Sequence, residues 1–205
     1  MRGLNSLAAF GAVFCLISMG CSYSYAASKV EEHSVGNQDA PITVQDISSF
    51  GCSHCATFYR DVFPELKKRY VDTGKVRFIF RDFPNDGPSL KAALMSDCMP
   101  KEQYFPFVNT IYANQNRWVG ISDPDRALIQ LAKLAGLSDA KVNECINNKA
   151  LMDNIVAERI AINKKYDIKA TPTFVINDGA ERLDGAQSIS EFAAIFDRLL
   201  ATKQK

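Results

Sequence analysis

A long helical block that separates two groups of strands is the feature that most restricts the fold of this chain. Strand-like sequence occurs at 40–50 (APITVQDISSF) and at 75–81 (KVRFIFR), on either side of a helical stretch. Nearly all of the sequence from 87 to 166 is helical in pattern, and strand-like sequence returns at 171–177 (TPTFVIN). A short strand and a capped amphipathic helix follow. This order predicts an α/β unit that is interrupted by helices.

The length and charge of the chain fit one such domain and exclude some functions. The 205 residues suffice for a single well-cored domain with a large insertion. We expect residues 27–86 and 167–205 to form the α/β unit and residues 87–166 to form the helical insertion. The formal net charge is only +1 and no arginine-rich run occurs, so nucleic-acid binding is not expected.

The first 26 residues have the pattern of a secretory signal peptide. One basic residue is followed by an apolar stretch, and the small residues Ser24 and Ala26 precede the predicted cleavage site. Removal of this segment leaves 23 basic and 23 acidic residues. The apolar stretch is short for a retained membrane anchor. Attachment of a lipid at Cys21 is a less favoured alternative, because Ser18 stands where a lipoprotein signal normally has leucine.

Export changes the interpretation of the cysteines. Two of the six cysteines lie in the signal peptide, which leaves Cys52, Cys55, Cys98 and Cys145. An even number of cysteines in an exported protein favours disulfides over metal ligands. Three pairings are possible, and the close spacing of Cys52 and Cys55 leaves Cys98 to pair with Cys145.

Cys52 lies where the first long strand ends and a helix begins, in the sequence FGCSHCA. Unpaired N–H groups and a partial positive charge at a helix N-terminus favour a thiolate over a thiol. We therefore expect a lowered pKa for Cys52, with protonated His54 adding positive charge beside it. Cys55, one turn deeper, is predicted to be a buried resolving thiol.

Two other uses of this cysteine pair are less favoured. A structural disulfide across so short a loop adds little chain-entropy stabilisation. A zinc site lacks a second Cys-x-x-Cys pair, and the other histidine, His33, is interpreted as a surface residue of the N-terminal arm.

The sequence resembles the DsbA-type thiol:disulfide oxidoreductases of the bacterial periplasm. The resemblance rests on FGCSHC, on the preceding APITVQDISS and on ATPTFVIN about 120 residues later, and it extends from about Val35 to Leu200. It implies a thioredoxin fold, with a mixed central sheet flanked by helices and an inserted all-helical domain. Ser53 departs from the best-known members, which have proline at this position, and the residues between the cysteines tune the redox potential.

The resemblance also implies roles for individual residues. Cys52 would be the nucleophile that forms mixed disulfides with substrates, and Cys55 would resolve them. Pro172 matches a proline that is cis in this fold and faces the active-site disulfide. Thr171 matches a position that tunes redox behaviour and contacts the substrate backbone. Asp46, six residues before Cys52, matches a buried acidic residue beneath the active site, usually glutamate.

Two of these assignments keep alternatives. If Asp46 is buried, a raised pKa suits it to move a proton to or from Cys55, whereas a cap or surface position gives it no such role. Cys98 and Cys145 are interpreted as a structural disulfide within the helical insertion, of a kind found in some alphaproteobacterial members of the family. Two buried free thiols or a regulatory second redox couple are the alternatives.

Together these features predict a periplasmic enzyme that introduces disulfides into reduced, unfolded exported proteins without an organic cofactor or a metal. The resemblance implies a DsbB-type quinone reductase of the inner membrane as reoxidant, and we expect a monomer. A reductase or an isomerase is the alternative enzyme, although about 14 residues before Pro41 are too few for the dimerisation domain of the isomerases. A metal chaperone or a surface antigen with a vestigial site is the alternative of another class. Copper-binding thioredoxin relatives need a histidine beyond His54, and the sequence has none.

Overall fold

The computed structural model describes residues 32–203, so the predicted signal peptide at 1–26, with Cys15 and Cys21, lies outside the described residues. The strands are β1 (His33–Val35), β2 (Ile42–Ser48), β3 (Val76–Asp82), β4 (Thr173–Ile176) and β5 (Glu181–Asp184). The helices are α1 (Ser53–Thr57), α2 (Phe63–Leu66), α3 (Gly87–Asp97), α4 (Lys101–Ala113), α5 (Pro124–Leu134), α6 (Asp139–Ile146), α7 (Lys149–Tyr166) and α8 (Ile189–Lys203). In this part of the chain no helix combines the length and the apolar character needed to cross a lipid bilayer.

The sheet is mixed and has the strand order β1-β3-β2-β4-β5. Strands β2 and β3 are parallel, and each of the other neighbouring pairs is antiparallel. The helical segment between β2 and β3 makes the crossover that a parallel pair requires. Helices α3 to α7 all lie between β3 and β4 in the chain. This is the thioredoxin fold with a helical insertion that the sequence predicts.

The centre of the core is a cluster of phenylalanine rings on one face of the sheet, which we call the inner face. The rings come from β3, β4, the helical segment after β2, and α8, which explains why these elements stay together. The members, all fully buried, are Phe58, Phe78, Phe174, Phe192 and Phe196. The opposite face is covered by α7, where Ile162 joins Ile47 and Val175 in a smaller cluster.

The helical segment that follows Cys52 is irregular. π-Helical turns occupy Phe58–Val62 and Lys67–Val71, before and after α2. A proline within a helical sequence pattern is expected to kink the helix, and the structure places Pro64 in the first turn of α2, just after a widened turn. A proline is tolerated there because the first N–H groups of a helix have no partner within it.

One disulfide joins two helices of the insertion within the described residues. Cys98, at the end of α3, is bonded to Cys145 of α6, and their Cα atoms are 6.1 Å apart. Cys52 and Cys55 are free thiols. The disulfide in the structure is therefore the one that the sequence predicts within the helical insertion.

The prediction that His33 is a surface residue is wrong. His33 is only 8% exposed and belongs to β1, which pairs with β3. Its Nε2 lies 2.8 Å from Oδ1 of Asp97, and its ring stacks on Tyr104 with the ring centres 3.4 Å apart. Strand β1 has only three residues, too few to show the alternation of apolar and polar residues that marks a strand in a sequence. The burial of His33 is therefore evident only from the pairing of β1 with β3.

We expect the Cys98–Cys145 disulfide to make a large contribution to stability. It connects positions 47 residues apart, and closing such a loop in the unfolded chain is worth about 4 kcal/mol in the chain-entropy model. The double variant Cys98→Ala/Cys145→Ala should therefore lose about this much free energy of unfolding in urea denaturation. A loss below about 1 kcal/mol would contradict the expectation.

Candidate active site

Cys52 and Cys55 lie at the junction of β2 and α1. The amide of Cys52 donates to the carbonyl oxygen of Ser49 at 3.0 Å, which closes the turn after β2. Cys52 itself keeps an extended backbone, with φ −80° and ψ 121°, so α1 begins at Ser53. Cys52 is partly accessible, whereas Cys55 is fully buried. One sulfur is therefore available to another protein and the other is not.

Hydrogen bonds to the Cys52 sulfur lower the pKa of this residue from 9.0 to about 5. The thiol of Cys55 makes the largest contribution, and the hydroxyl of Thr171 and the backbone amides of Cys55 and His54 add to it. Partial burial acts in the opposite direction but does not prevail. At neutral pH Cys52 is therefore a thiolate, the form that attacks disulfides and leaves from them.

Cys55 is held in the opposite protonation state. Burial raises the pKa of its thiol well above 9.0, and the hydrogen bond to Cys52 and the negative charges of Cys52 and Asp46 act in the same direction. At neutral pH the dithiol therefore carries one proton, on Cys55. The two sulfurs are chemically different before any substrate arrives.

The loop before β4 closes the site from the other side. The Thr171–Pro172 peptide bond is cis, as the resemblance implies. In its thiol form Cys52 donates from Sγ to the carbonyl oxygen of Thr171 at 3.1 Å. Nδ2 of Asn85 donates to Oγ1 of Thr171 at 3.4 Å, which leaves the hydroxyl proton of Thr171 available to the Cys52 thiolate.

Asp46 lies in the middle of β2 and is fully buried, not at a cap or on the surface. Its carboxylate accepts hydrogen bonds from the hydroxyl of Tyr59, at 2.8 Å, and from the hydroxyl of Ser48. Burial outweighs both bonds and the charge of Cys52 adds to it, so the pKa of Asp46 is raised to about 6. A carboxyl group with this pKa can hold or release a proton close to neutral pH.

The helical insertion contributes contacts to the site that the sequence reasoning missed. Nε2 of Gln115 donates to the carbonyl oxygens of Phe50 and Cys52, at 2.7 and 3.0 Å. The amide of Gly51 donates to Oγ of Ser89 at 3.1 Å, and a Cβ at Gly51 would lie 2.5 Å from that oxygen. Gly51 is the one residue whose type could have indicated these contacts, because a glycine often marks a place where another segment approaches the backbone closely. Nothing local identifies Gln115 or Asn85.

The side chain of His54 is exposed on α1. The contribution of this residue to the lowered pKa of Cys52 comes through its backbone amide, which any residue except proline would supply at this position. Among residues 32–203, we find no cluster of three or more His, Cys, Asp or Glu side chains that could hold a metal ion. Cys52, His54 and Cys55 do not form such a cluster either.

Comparison with known proteins agrees with this geometry. A family model described as thioredoxin matches residues 28–198. Alpha-DsbA1 of Wolbachia pipientis is 34% identical to this chain, and its crystal structure matches with a TM-score of 0.77 over 84% of this chain and 92% of that one. The chain belongs to the DsbA family.

Two curated relatives of this DsbA-family chain differ from it in length. Disulfide bond formation protein D of Bacillus subtilis is 31% identical over 157 residues, which cover 70% of this chain and 67% of that protein. A Rickettsia typhi protein, provisionally named a protein-disulfide oxidoreductase, is 27% identical over 172 residues, or 83% of this chain. The match spans 63% of the Rickettsia protein, so this chain covers less than two thirds of that relative.

The titration of Cys52 in the reduced protein tests the hydrogen-bond network. Thiolate absorbance at 240 nm should show a midpoint near pH 5 in the reduced protein. Cys55→Ala should raise this midpoint more than Thr171→Val does, because the Cys55 thiol is the stronger of the two donors. A Cys52→Ala protein supplies the baseline. A midpoint near 9 without substitution, or the reverse order of the two variants, would contradict the network.

The buried carboxyl of Asp46 should make stability depend on pH. Its pKa is about 6 in the folded protein and near 3.8 when unfolded, so the folded protein binds this proton more tightly. The free energy of unfolding should therefore fall by about 3 kcal/mol as pH rises from about 3.8 to 6, and Asp46→Asn should remove that loss.

Urea denaturation of oxidised protein at pH 4 and pH 7 measures this difference, since oxidation removes the titration of Cys52. Asp153→Asn is the matched control, because this exposed α7 carboxylate is 61% accessible and should add little dependence on pH. Equal dependence on pH in the Asp46→Asn variant and the unsubstituted protein would disprove the raised pKa.

Proposed function

We propose that this DsbA-family chain is an oxidase that transfers its Cys52–Cys55 disulfide to reduced, unfolded proteins in the periplasm. The observation that carries the proposal is the contrast between the two thiols, with a pKa of about 5 for Cys52 and one well above 9.0 for Cys55. A disulfide is a stronger oxidant when the dithiol that it becomes contains a stabilised thiolate. The same contrast makes Cys52 the sulfur at which exchange occurs.

The reaction needs two exchange steps. A substrate thiolate attacks the sulfur of Cys52, the Cys52–Cys55 bond breaks, and Cys55 leaves as a thiolate that takes up a proton. A second substrate thiolate then attacks the substrate sulfur of the mixed disulfide, and Cys52 leaves as a stable thiolate. Two electrons pass from the substrate to the enzyme, which ends as the dithiol.

The surface around Cys52 suits an extended substrate chain. Cys52 is partly accessible, and the carbonyl oxygen of Thr171 lies 3.1 Å from its sulfur. A substrate backbone that runs along the loop before β4 would bring its own cysteine to this sulfur. Such contacts with the main chain do not depend on the side chains of the substrate, which fits an enzyme that acts on many unfolded proteins.

Several wider features belong to the same proposal. We assign residues 1–26 to a cleaved signal peptide, residues 27–86 and 167–205 to the thioredoxin-like unit, and residues 87–166 to the helical insertion. The reoxidant is a membrane-bound quinone reductase of the DsbB type, and the enzyme acts as a monomer. The chain itself needs no organic cofactor because the electrons pass between sulfur atoms.

Oxidative refolding of a reduced test protein checks the function. In a glutathione buffer, catalytic amounts of this protein should speed the recovery of activity of reduced ribonuclease. Cys52→Ala should abolish the effect, and Cys55→Ala should accumulate a mixed disulfide with ribonuclease, which mass spectrometry detects. The variant Cys98→Ala/Cys145→Ala keeps the exchanging pair and is the matched control for loss of cysteines. If the Cys52→Ala protein speeds refolding as much as the unsubstituted protein does, the proposal is wrong.

A reductase is the competing enzyme. It would reduce insulin rapidly and would have a low reduction potential against glutathione. The low pKa of Cys52 favours the oxidase, because a stable thiolate opposes reoxidation by a substrate disulfide.

A further inference from the structure

At the active-site end, the inner face of the sheet carries polar side chains on two neighbouring strands. Asp46 lies opposite Phe80 in the parallel pair of β2 and β3, and Ser48 lies opposite Asp82. Partners in a sheet point to the same face, so the side chains of Ser48 and Asp82 lie side by side. The hydroxyl of Ser48 donates to the carboxylate of Asp46. Ser48 is therefore bonded to Asp46 on its own strand and is the cross-strand neighbour of Asp82.

The two ends of this polar path differ in their contact with water. Asp46 and Ser48 are 0% and 6% exposed. Asp82, the last residue of β3, keeps partial contact with solvent. Asp46 is therefore out of contact with water, whereas the residue Asp82 keeps some contact with it.

Ionisable groups on four elements lie close enough to Asp82 for their charges to interact with it. Burial raises the pKa of Asp82 well above its ordinary value, and the charges of Asp97 on α3, Glu158 on α7 and Asp46 on β2 act in the same direction. Tyr104 on α4 also interacts with Asp82. Burial is the main cause of the raised pKa of Tyr104, and the negative charge of Asp82 is the next. Asp82 therefore keeps a proton at pH values at which an exposed aspartate has lost its own.

Two basic side chains close to this cluster have other partners. His33 on β1 lies 2.8 Å from Oδ1 of Asp97, whose second oxygen is buried without a hydrogen-bond partner among residues 32–203. Arg81 follows Phe80 on β3, so it points to the opposite face, where it donates to Glu158 at 2.9 Å. Asp82 is therefore surrounded mainly by other acids.

We propose that Asp82 is the residue through which Asp46 exchanges its proton with solvent during disulfide exchange, with the hydroxyl of Ser48 as the bridge. The proposal rests on the thiol:disulfide exchange proposed above, and it assigns Asp82 and Ser48 as positioning residues that act through Asp46.

The proton transfers balance in both directions of the reaction. When Cys55 leaves as a thiolate, Asp46 gives it a proton and becomes a carboxylate. Ser48 passes its hydroxyl proton to Asp46 and accepts one from Asp82, and water or buffer then returns a proton to Asp82. When the dithiol is reoxidised, Cys55 loses its proton and the same transfers run in reverse. No side chain other than the two cysteines is changed at the end.

Proton delivery can be isolated by varying the concentration of a buffer at constant pH and ionic strength. Oxidised protein is mixed with a dithiol peptide at pH 6.5, and the reaction is stopped by acid and alkylation. Asp82→Asn should slow reduction of the Cys52–Cys55 bond at least about tenfold at low buffer concentration, because Asn cannot pass a proton. The rate should recover as the buffer concentration rises, since the buffer then supplies the proton. The unsubstituted protein should show no such dependence.

Asp82→Glu should stay within about twofold of the unsubstituted rate, because it keeps a carboxyl group at the position. Glu158→Gln is the matched control, and it removes a neighbouring acid without producing dependence on buffer concentration. If Asp82→Asn does not fold, Ser48→Ala interrupts the bridge while both carboxyl groups remain, and it should show the same dependence on buffer. An Asp82→Asn or Ser48→Ala protein with the unsubstituted rate at low buffer concentration would overturn the relay. Failure of the unsubstituted protein to exchange at all would instead overturn the proposed function, and the relay with it.

Discussion

The hydrogen bonds that converge on the sulfur of Cys52 are the interaction on which the rest of the site depends. They come from the thiol of Cys55, the hydroxyl of Thr171 and the first amides of α1. Each donor requires a different part of the fold: α1 must begin at Ser53, Cys55 must be buried one turn below, and the loop before β4 must pass close to Cys52. The helix start, the strand order and the burial of one thiol therefore all serve to stabilise one thiolate.

The inner face of the sheet is divided between two kinds of packing. Its centre is a phenylalanine cluster around Phe58, whereas its active-site end carries the buried Asp46 and the partly exposed Asp82. Burying an ionisable group is unfavourable unless it is neutral or well bonded, so the polar end lowers stability while the apolar centre supplies it. The unfavourable burial is also what brings the pKa of Asp46 into a useful range.

The helical insertion has a role beyond covering the sheet. Gln115 and Ser89 reach from it to the turn around Gly51 and Cys52, where they bond the amide of Gly51 and the carbonyl oxygens of Phe50 and Cys52. The Cys98–Cys145 disulfide ties two helices of the same insertion together. The catalytic turn is thus held by groups that enter from outside the thioredoxin-like unit as well as from inside it.

The elements that depend on local signals can be predicted from the amino-acid sequence. The strand that ends before Cys52, the helix start, the helical block and the later Thr171-Pro172 strand all follow from periodicity, caps and spacing, which act over a few residues. In contrast, the burial of His33, the position of Asp82 beside Ser48 and the bond from Gln115 to Cys52 result from the tertiary fold. These contacts join residues that are 34 to more than 60 positions apart or lie on different strands. Their closeness is set by how strands pair and helices pack, so no pattern within one segment could show it.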